Sequence, residues 1–211
     1  MGSTGRLGSA GPLAGILFDM DGVVVHQRLD FPAIKREIWG DTEGYILERM
    51  ATLSGEALAR AEAILERHET AAAMEATVMD GALPFLAWME ARGLRRGLVT
   101  RNSAKSVQIV LERLGLRFDA VVTREDAPPK PAPDPVLLAC RRIGLRPAQV
   151  LFVGDFEFDM LAGRRAGTGT VLLCGGTQRS SEHADLTVDS LGDLRRAIEE
   201  RSGGREAAAS G

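Results

Sequence analysis

The sequence predicts an α/β fold: a doubly wound parallel sheet with a small all-helical insertion after its first strand. Three observations carry that prediction. Short apolar runs alternate with longer amphipathic stretches along most of the 211 residues. The runs are continuously apolar, as strands covered on both faces of a parallel sheet must be. One long segment, from about Leu29 to Thr77, keeps helical spacing and shows no strand signal.

Residues 1–12 are Gly/Ser-rich and read as a disordered segment. Leu13 to Phe18 reads as the first strand. In the insertion, Phe31, Ile34 and Ile38 keep helical spacing, as do Ile46 and Met50. Ser54 is placed to N-cap a long helix with Glu56 in its first turn, and Leu58, Ala61, Leu65 and Ala72 share one face of it. The alternation then resumes. Helices are expected at Ala82 to Ala91, Ser103 to Leu114, Pro133 to Ile143 and Phe158 to Ala166. Strands are expected at Arg96 to Thr100, Ala120 to Thr123, Gln149 to Val153, Thr170 to Leu173 and Leu186 to Val188. Glycines after Arg92, Leu114 and Ile143 are natural helix stops. The expected division is a core of residues 13–27 and 80–200, a helical insertion of 28–79, and a flexible tail of 201–211.

The totals exclude several classes. A net charge of −3 and a pI near 5.7 argue against a nucleic-acid surface. No apolar run approaches the ~20 residues that span a bilayer. The N-terminal MGSTGRLGSAGP lacks the apolar centre of a signal peptide. Cys140 and Cys174 sit in apolar contexts without a CxxC partner, which reads as two buried thiols in a reducing compartment. A cytoplasmic protein is the expectation, with neither membrane nor nucleic acid as partner. Its oligomeric state stays open.

Four pieces of chain, far apart in sequence, carry the chemistry. Ligands of open α/β sheets bind at the carboxyl ends of the strands. Asp19, in FDMDG, sits just past the first strand; Asp21 follows two residues on, and Gly22 lets the chain turn. Such a pair divides labour in phosphoryl transfer: one carboxylate attacks phosphorus, and the other protonates the leaving oxygen and then activates water. An Asp-x-Asp-Gly turn is also common without chemistry. Thr100, Arg101 and Asn102 follow the second long strand, where a hydroxyl and the amides opening a helix attract phosphate; Asn102 or Ser103 also serves as an ordinary helix cap. Lys130, in PPKPAPD, is one of three lysines in a chain whose other 23 basic residues are Arg. A compact ammonium can neutralise a phosphate and Asp19 together, and the alternative is an exposed lysine on a rigid loop. Asp155 ends a strand in VGDFEFD, and Asp159 lies one helical turn later to support Asp155 or Lys130. Carboxylates facing a dianionic phosphate call for a cation. Mg2+ takes oxygen ligands, and Asp19, the Asp21 backbone carbonyl and Asp155 supply them.

In this order the four pieces resemble the motifs of the haloacid dehalogenase (HAD) superfamily, most of whose members hydrolyse phosphate esters. The resemblance covers residues 13–27 and 80–195. It implies Asp19 as nucleophile, Asp21 as general acid/base, Thr100 and Lys130 as phosphate and nucleophile positioners, and Asp155 as magnesium ligand. It also makes the insertion a cap that selects substrate, one shorter than the helical caps of phosphoglycolate phosphatases. The reading Thr-Arg-Asn departs from the commoner Thr-Asn, so Arg101 either reaches the substrate or faces solvent. The expected activity is a magnesium-dependent phosphatase acting on a small-molecule phosphate ester through an aspartyl-phosphate. A phosphomutase and a catalytically weak phosphate-binding regulatory protein are the alternatives. Asp21 disfavours dehalogenase chemistry, which in this family lacks an acid there.

Overall fold

The apolar runs form the sheet they predict. The computed structural model describes residues 12–209. Its strands are β1 (Gly15–Phe18), β2 (Val25–His26), β3 (Thr77–Val78), β4 (Arg95–Val99), β5 (Ala120–Val122), β6 (Val150–Gly154), β7 (Gly169–Leu173) and β8 (Leu186–Val188). Six of them pair in parallel in the order β5-β4-β1-β6-β7-β8. From β1 the main sheet grows outward to β4 and β5, then returns to β6 on the other side of β1. Strand order therefore reverses at β1, where a crevice opens at the carboxyl edge. Phe18, the last residue of β1, lies level with Leu98 and Val153.

Both faces of the sheet are covered, which is why the runs do not alternate. Ile16 and Phe18 enter one core cluster with Phe85, Met89 and Leu194, whereas Leu17 enters another with Phe152, Val136 and Cys140. The covering helices are α4 (Ala82–Ala91), α5 (Ala104–Leu114), α6 (Asp134–Arg142) and α7 (Glu157–Ala166). Each lies within a residue or so of its expected range. The Ser103 side chain accepts a hydrogen bond from the Ser106 amide to start α5, and Gly115, at φ 64°, ends it.

The insertion holds α1 (Phe31–Trp39), α2 (Ile46–Met50) and α3 (Gly55–Glu75). Ile34, Ile46, Met50, Ala61 and Leu65 bury one another in a small core of their own. Asp30 caps α1 by accepting a hydrogen bond from the Ala33 amide at 2.9 Å. Ser54 occupies the N-cap position of α3 as expected, but its side chain accepts no capping hydrogen bond. Helix α3 belongs to two cores. Ala61 and Leu65 lie in the insertion, and Ala73, with Ala76 just past the helix, lies in the main cluster under the sheet.

Two features depart from expectation. The ends of the insertion are tied by an antiparallel pair, β2 with β3, matching Val25 to Val78 and His26 to Thr77. Strands of two residues are too short to leave a periodic signal. The last helix, α8 (Leu191–Ala209), runs on through 201–209, expected as flexible tail; Glu-Ala-Ala-Ala favours helix. The segment expected to be disordered lies, but for residue 12, outside the described residues, as do 210 and 211. Among the described residues no helix is long and apolar enough to cross a membrane.

Candidate active site

All four motifs meet at the carboxyl edge beside β1. The Asp19 amide donates to the Val153 carbonyl at 2.8 Å, which carries the strand pairing one residue past β1 and sets the carboxylate at the crevice. Lys130, from the loop between β5 and α6, reaches in beneath it and is 2% exposed. Its Nζ donates to Asp19 Oδ1 at 2.6 Å and to the Val99 carbonyl at 3.0 Å, and pairs with Asp159 Oδ1 at 2.7 Å. Burial alone would depress this lysine, but the Asp159 and Asp19 carboxylates outweigh it and hold its pKa above the ordinary lysine value.

One ammonium is too little for the acids around it. Asp19 stands well above the usual carboxylate range, first through burial and then through Asp159 and Asp21, with Lys130 pulling the other way. Asp155 is raised by burial and by Asp159, and is held down by Arg179. Carboxylate oxygens of Asp19, Asp155 and Asp159 come within 4.8 Å of one another. An all-oxygen cluster with excess negative charge is the donor set a hard divalent cation takes. Asp159 already accepts from Lys130 and from the Phe156 amide at 3.1 Å, so Asp19 and Asp155 are the freer ligands. The Asp21 carboxylate, in the expected set only through its backbone, lies outside this cluster.

Asp21 instead faces Asn102. Its Oδ2 accepts from Asn102 Nδ2 at 2.6 Å, while its buried Oδ1 has no partner among the described residues. Burial pushes its pKa up to about 7 against the pull of the Asn102 amide. Gly22, at φ +75°, makes the turn out of this segment, and a Cβ there would stand 2.4 Å from Asp155 Oδ2. A pocket of about 340 Å³ opens on Asp21 and is lined further by Gln27, Arg28, Leu29, Asp30 and Phe31.

Thr100 is buried, its amide donating to the Val122 carbonyl at 3.0 Å and its Oγ1 accepting from the Asn102 amide at 3.2 Å. Two residues expected on phosphate are committed elsewhere. The Asn102 side-chain donor is spent on Asp21. The Arg101 guanidinium, not left in open solvent, donates to the Lys130 carbonyl at 2.5 Å and to both Glu48 carboxylate oxygens at 2.9 and 2.8 Å. A donor two residues past a strand is legible in sequence, but the oxygen it meets is set by tertiary packing.

Two residues here went unread in sequence. Arg179 donates to the Asp155 carbonyl at 2.7 Å and to its Oδ2 at 3.2 Å. Its signal was its place in the Gly-rich loop after β7, another strand ending at the same edge. Glu69, on α3, is 2% exposed, pairs with Arg124 and accepts from the Ser103 amide at 3.3 Å, pinning the insertion to the start of α5. Its position in a helix rich in Glu concealed it.

Gly154 is fitted just as closely. A Cβ there would lie 2.2 Å from the Asp159 Cβ, so Gly154→Ala must push Asp159 off Lys130. A loss of turnover of about 10²-fold is expected from a displacement near 1 Å. Overpacking should remove about 1–3 kcal/mol of stability. Phosphate release and a urea melt check both, and a variant like wild type in both would refute the fit.

Fold and site together define the class, a phosphoric monoester hydrolase. Residues 13–167 match the family model described as haloacid dehalogenase-like hydrolase, and the chain belongs to that family. It is 30% identical over 208 residues to a haloacid dehalogenase-like hydrolase domain-containing protein of Arabidopsis thaliana, covering 89% of this chain and 84% of the relative. It is 31% identical over 216 residues to N-acetylmuramic acid 6-phosphate phosphatase of Pseudomonas putida, covering 89% and 96%. A crystal structure of a hydrolase from Pseudomonas syringae superposes with a TM-score of 0.73 at 21% identity, covering 89% and 98%, which shows the shared fold alone.

Proposed function

We propose that the protein is a magnesium-dependent phosphatase that hydrolyses a small phosphorylated metabolite through an aspartyl-phosphate on Asp19. The observation that carries this reading is the buried Lys130 ammonium 2.6 Å from the Asp19 carboxylate, with Asp21 two residues on. Lys130 favours the ionised form of Asp19 and aims it, and Val99 and Asp159 hold Lys130. An Asp19 oxygen attacks phosphorus as the bond to the leaving oxygen breaks, and Asp21 gives that oxygen its proton. Asp21 then takes a proton from water, whose oxygen attacks phosphorus and frees Asp19 and inorganic phosphate. Asn102 orients Asp21 throughout. The Thr100 hydroxyl donates to a phosphate oxygen, since the amides of Ser103, Ala104 and Ser106 that open α5 are held by Glu69, Glu125 and Ser103. Asp19 and Asp155, with the Asp21 carbonyl, would hold Mg2+, which when bound offsets the repulsion between these acids and a phosphate dianion.

The pocket beside Asp21 is of metabolite size. It takes the leaving group, and the insertion acts as a cap that excludes bulk water. Two free, buried cysteines suit a cytoplasmic setting.

The test is phosphate release from a panel of sugar phosphates, other phosphorylated metabolites and para-nitrophenyl phosphate, with magnesium and with chelator. Sugar phosphates lead the panel because the Pseudomonas putida relative is named for one. Release with magnesium should fall by at least about 10²-fold with chelator, because the ion supplies much of the charge stabilisation. A folded protein that releases no phosphate from any substrate would overturn the proposal.

A further inference from the structure

We infer that Arg101 is a positioning residue that clasps the insertion to the core through Glu48 and, with the same guanidinium, holds the main chain of Lys130. Closure of the insertion and alignment of Asp19 are then one event. The kinetic consequences rest on the phosphatase reading above, whereas the mechanical ones do not.

The starting point is the arginine that breaks up Thr-Asn in the second motif. One end of its guanidinium donates to the Lys130 carbonyl at 2.5 Å, and the other grips the Glu48 carboxylate on α2 with two hydrogen bonds. Both bonds to Glu48 come from Nη2, while Nη1 serves Lys130, so the two partners are held by adjacent nitrogens of one planar group. Its flat face lies 5.0 Å from the centre of the Phe158 ring. Phe158 packs at 4.8 Å against Tyr45, the residue leading into α2, and at 5.2 Å against Phe156. Phe156 and Phe158 lie within the Asp155 to Asp159 turn. From Glu48 an unbroken chain of contacts therefore runs through Arg101 and Lys130 to Asp19. A second chain runs from Tyr45 to the turn that carries Asp155 and Asp159.

The attachment is asymmetric. On the α3 side the insertion is bound deeply: Glu69 is buried against Arg124, and Arg113 donates to the Ala73 carbonyl at 2.9 Å. Lys105 also meets Glu66 at 2.5 Å. On the α2 side, among the described residues, the hydrogen bonds and ring contacts to the core are the Glu48–Arg101 pair and the Tyr45 cluster. Glu48 is 40% exposed and Arg101 23%, and Tyr45 and Phe156 are exposed. Such a pair is worth at most about 1 kcal/mol, so the α2 side can release while the α3 side stays docked. Arg49 carries the movement to the rest of the insertion, donating to Asp41 and stacking 4.1 Å over the Trp39 ring.

The test uses the full-length protein with Glu48→Gln, Arg101→Met and the double variant. Amide hydrogen exchange is followed in segment 45–50 and at Ala132, whose amide bonds the Pro129 carbonyl beside Lys130. Glu48→Gln should raise exchange about 5-fold or more at both places by lowering the cost of local opening. Segment 64–73 of α3 and the melting temperature should be unchanged, which a merely structural loss would not allow. In turnover, Arg101→Met should lose about 10²-fold in kcat, and the double variant no more than Arg101→Met alone, because both changes break one linkage. If Glu48→Gln leaves exchange at Ala132 unchanged, or if the two losses simply add, the coupling is wrong. If the wild type hydrolyses nothing, exchange alone decides: a rise at both places upholds the clasp while the phosphatase reading falls.

Discussion

Asp19→Asn is expected to lose at least about 10³-fold in kcat, because an amide cannot form the covalent phosphate intermediate. Its fold should survive intact. The Asp19 carboxylate is buried beside Asp159 and Asp21 and is held above its usual pKa by that burial. An amide of the same shape removes a crowded negative charge and can still accept from Lys130, whose charge remains paired with Asp159. The melting temperature should therefore equal or exceed that of the wild type, an ordinary trade of stability against activity. Phosphate release against the best panel substrate, beside a thermal melt, reads both halves. Turnover near that of the wild type, with contaminating phosphatase excluded, would remove Asp19 from the chemistry.

Lys130→Met should be costly in both respects. The side chain is 2% exposed and, among the described residues, is the cation shared by Asp19 and Asp159. Methionine fills much of the space but leaves the buried Asp159 and the half-buried Asp19 facing each other and the Val99 carbonyl without its donor. Breaking a buried pair by removing one partner costs about 3–5 kcal/mol. Turnover should fall by about 10²-fold or more, since the charge that steadies nucleophile and phosphate is gone. A urea melt and phosphate release check these effects. A variant as stable as wild type would show that Lys130 is not the keystone of the acid cluster.

The sheet was legible because parallel strands buried on both faces must be continuously apolar, and Ile16 to Phe18 or Leu151 to Val153 can be little else. The reactive ends of those strands were legible for a related reason. Asp19, Thr100 and Asp155 each follow such a run, and the topology alone delivers them to one edge. What escaped was whatever depends on contacts between distant segments. Nothing near Arg101 in sequence points to Glu48, 53 positions earlier. Nothing near Asn102 says that its amide turns to Asp21 and not to a ligand. Arg179 and Glu69 lie far along the chain from the groups they hold. The β2–β3 tie is too short for periodicity, and reading residues 28–79 as a unit of their own missed that the end of α3 packs into the main core through Ala73.

That last feature limits how such a lid can be remodelled. Helix α3 is one rod of 21 residues, about 30 Å long, rooted at one end under the sheet and carrying the lid at the other. Adding or deleting a single residue between its two ends would swing the lid about 100° around the rod and shift it about 1.5 Å along it. Glu48 would then lose Arg101 altogether. Grafting a different lid onto this base is thus a question of helical phase and of reach: the splice belongs inside α3 and must keep its length, because even two full turns, which restore the face, would carry the lid about 10.8 Å along the axis.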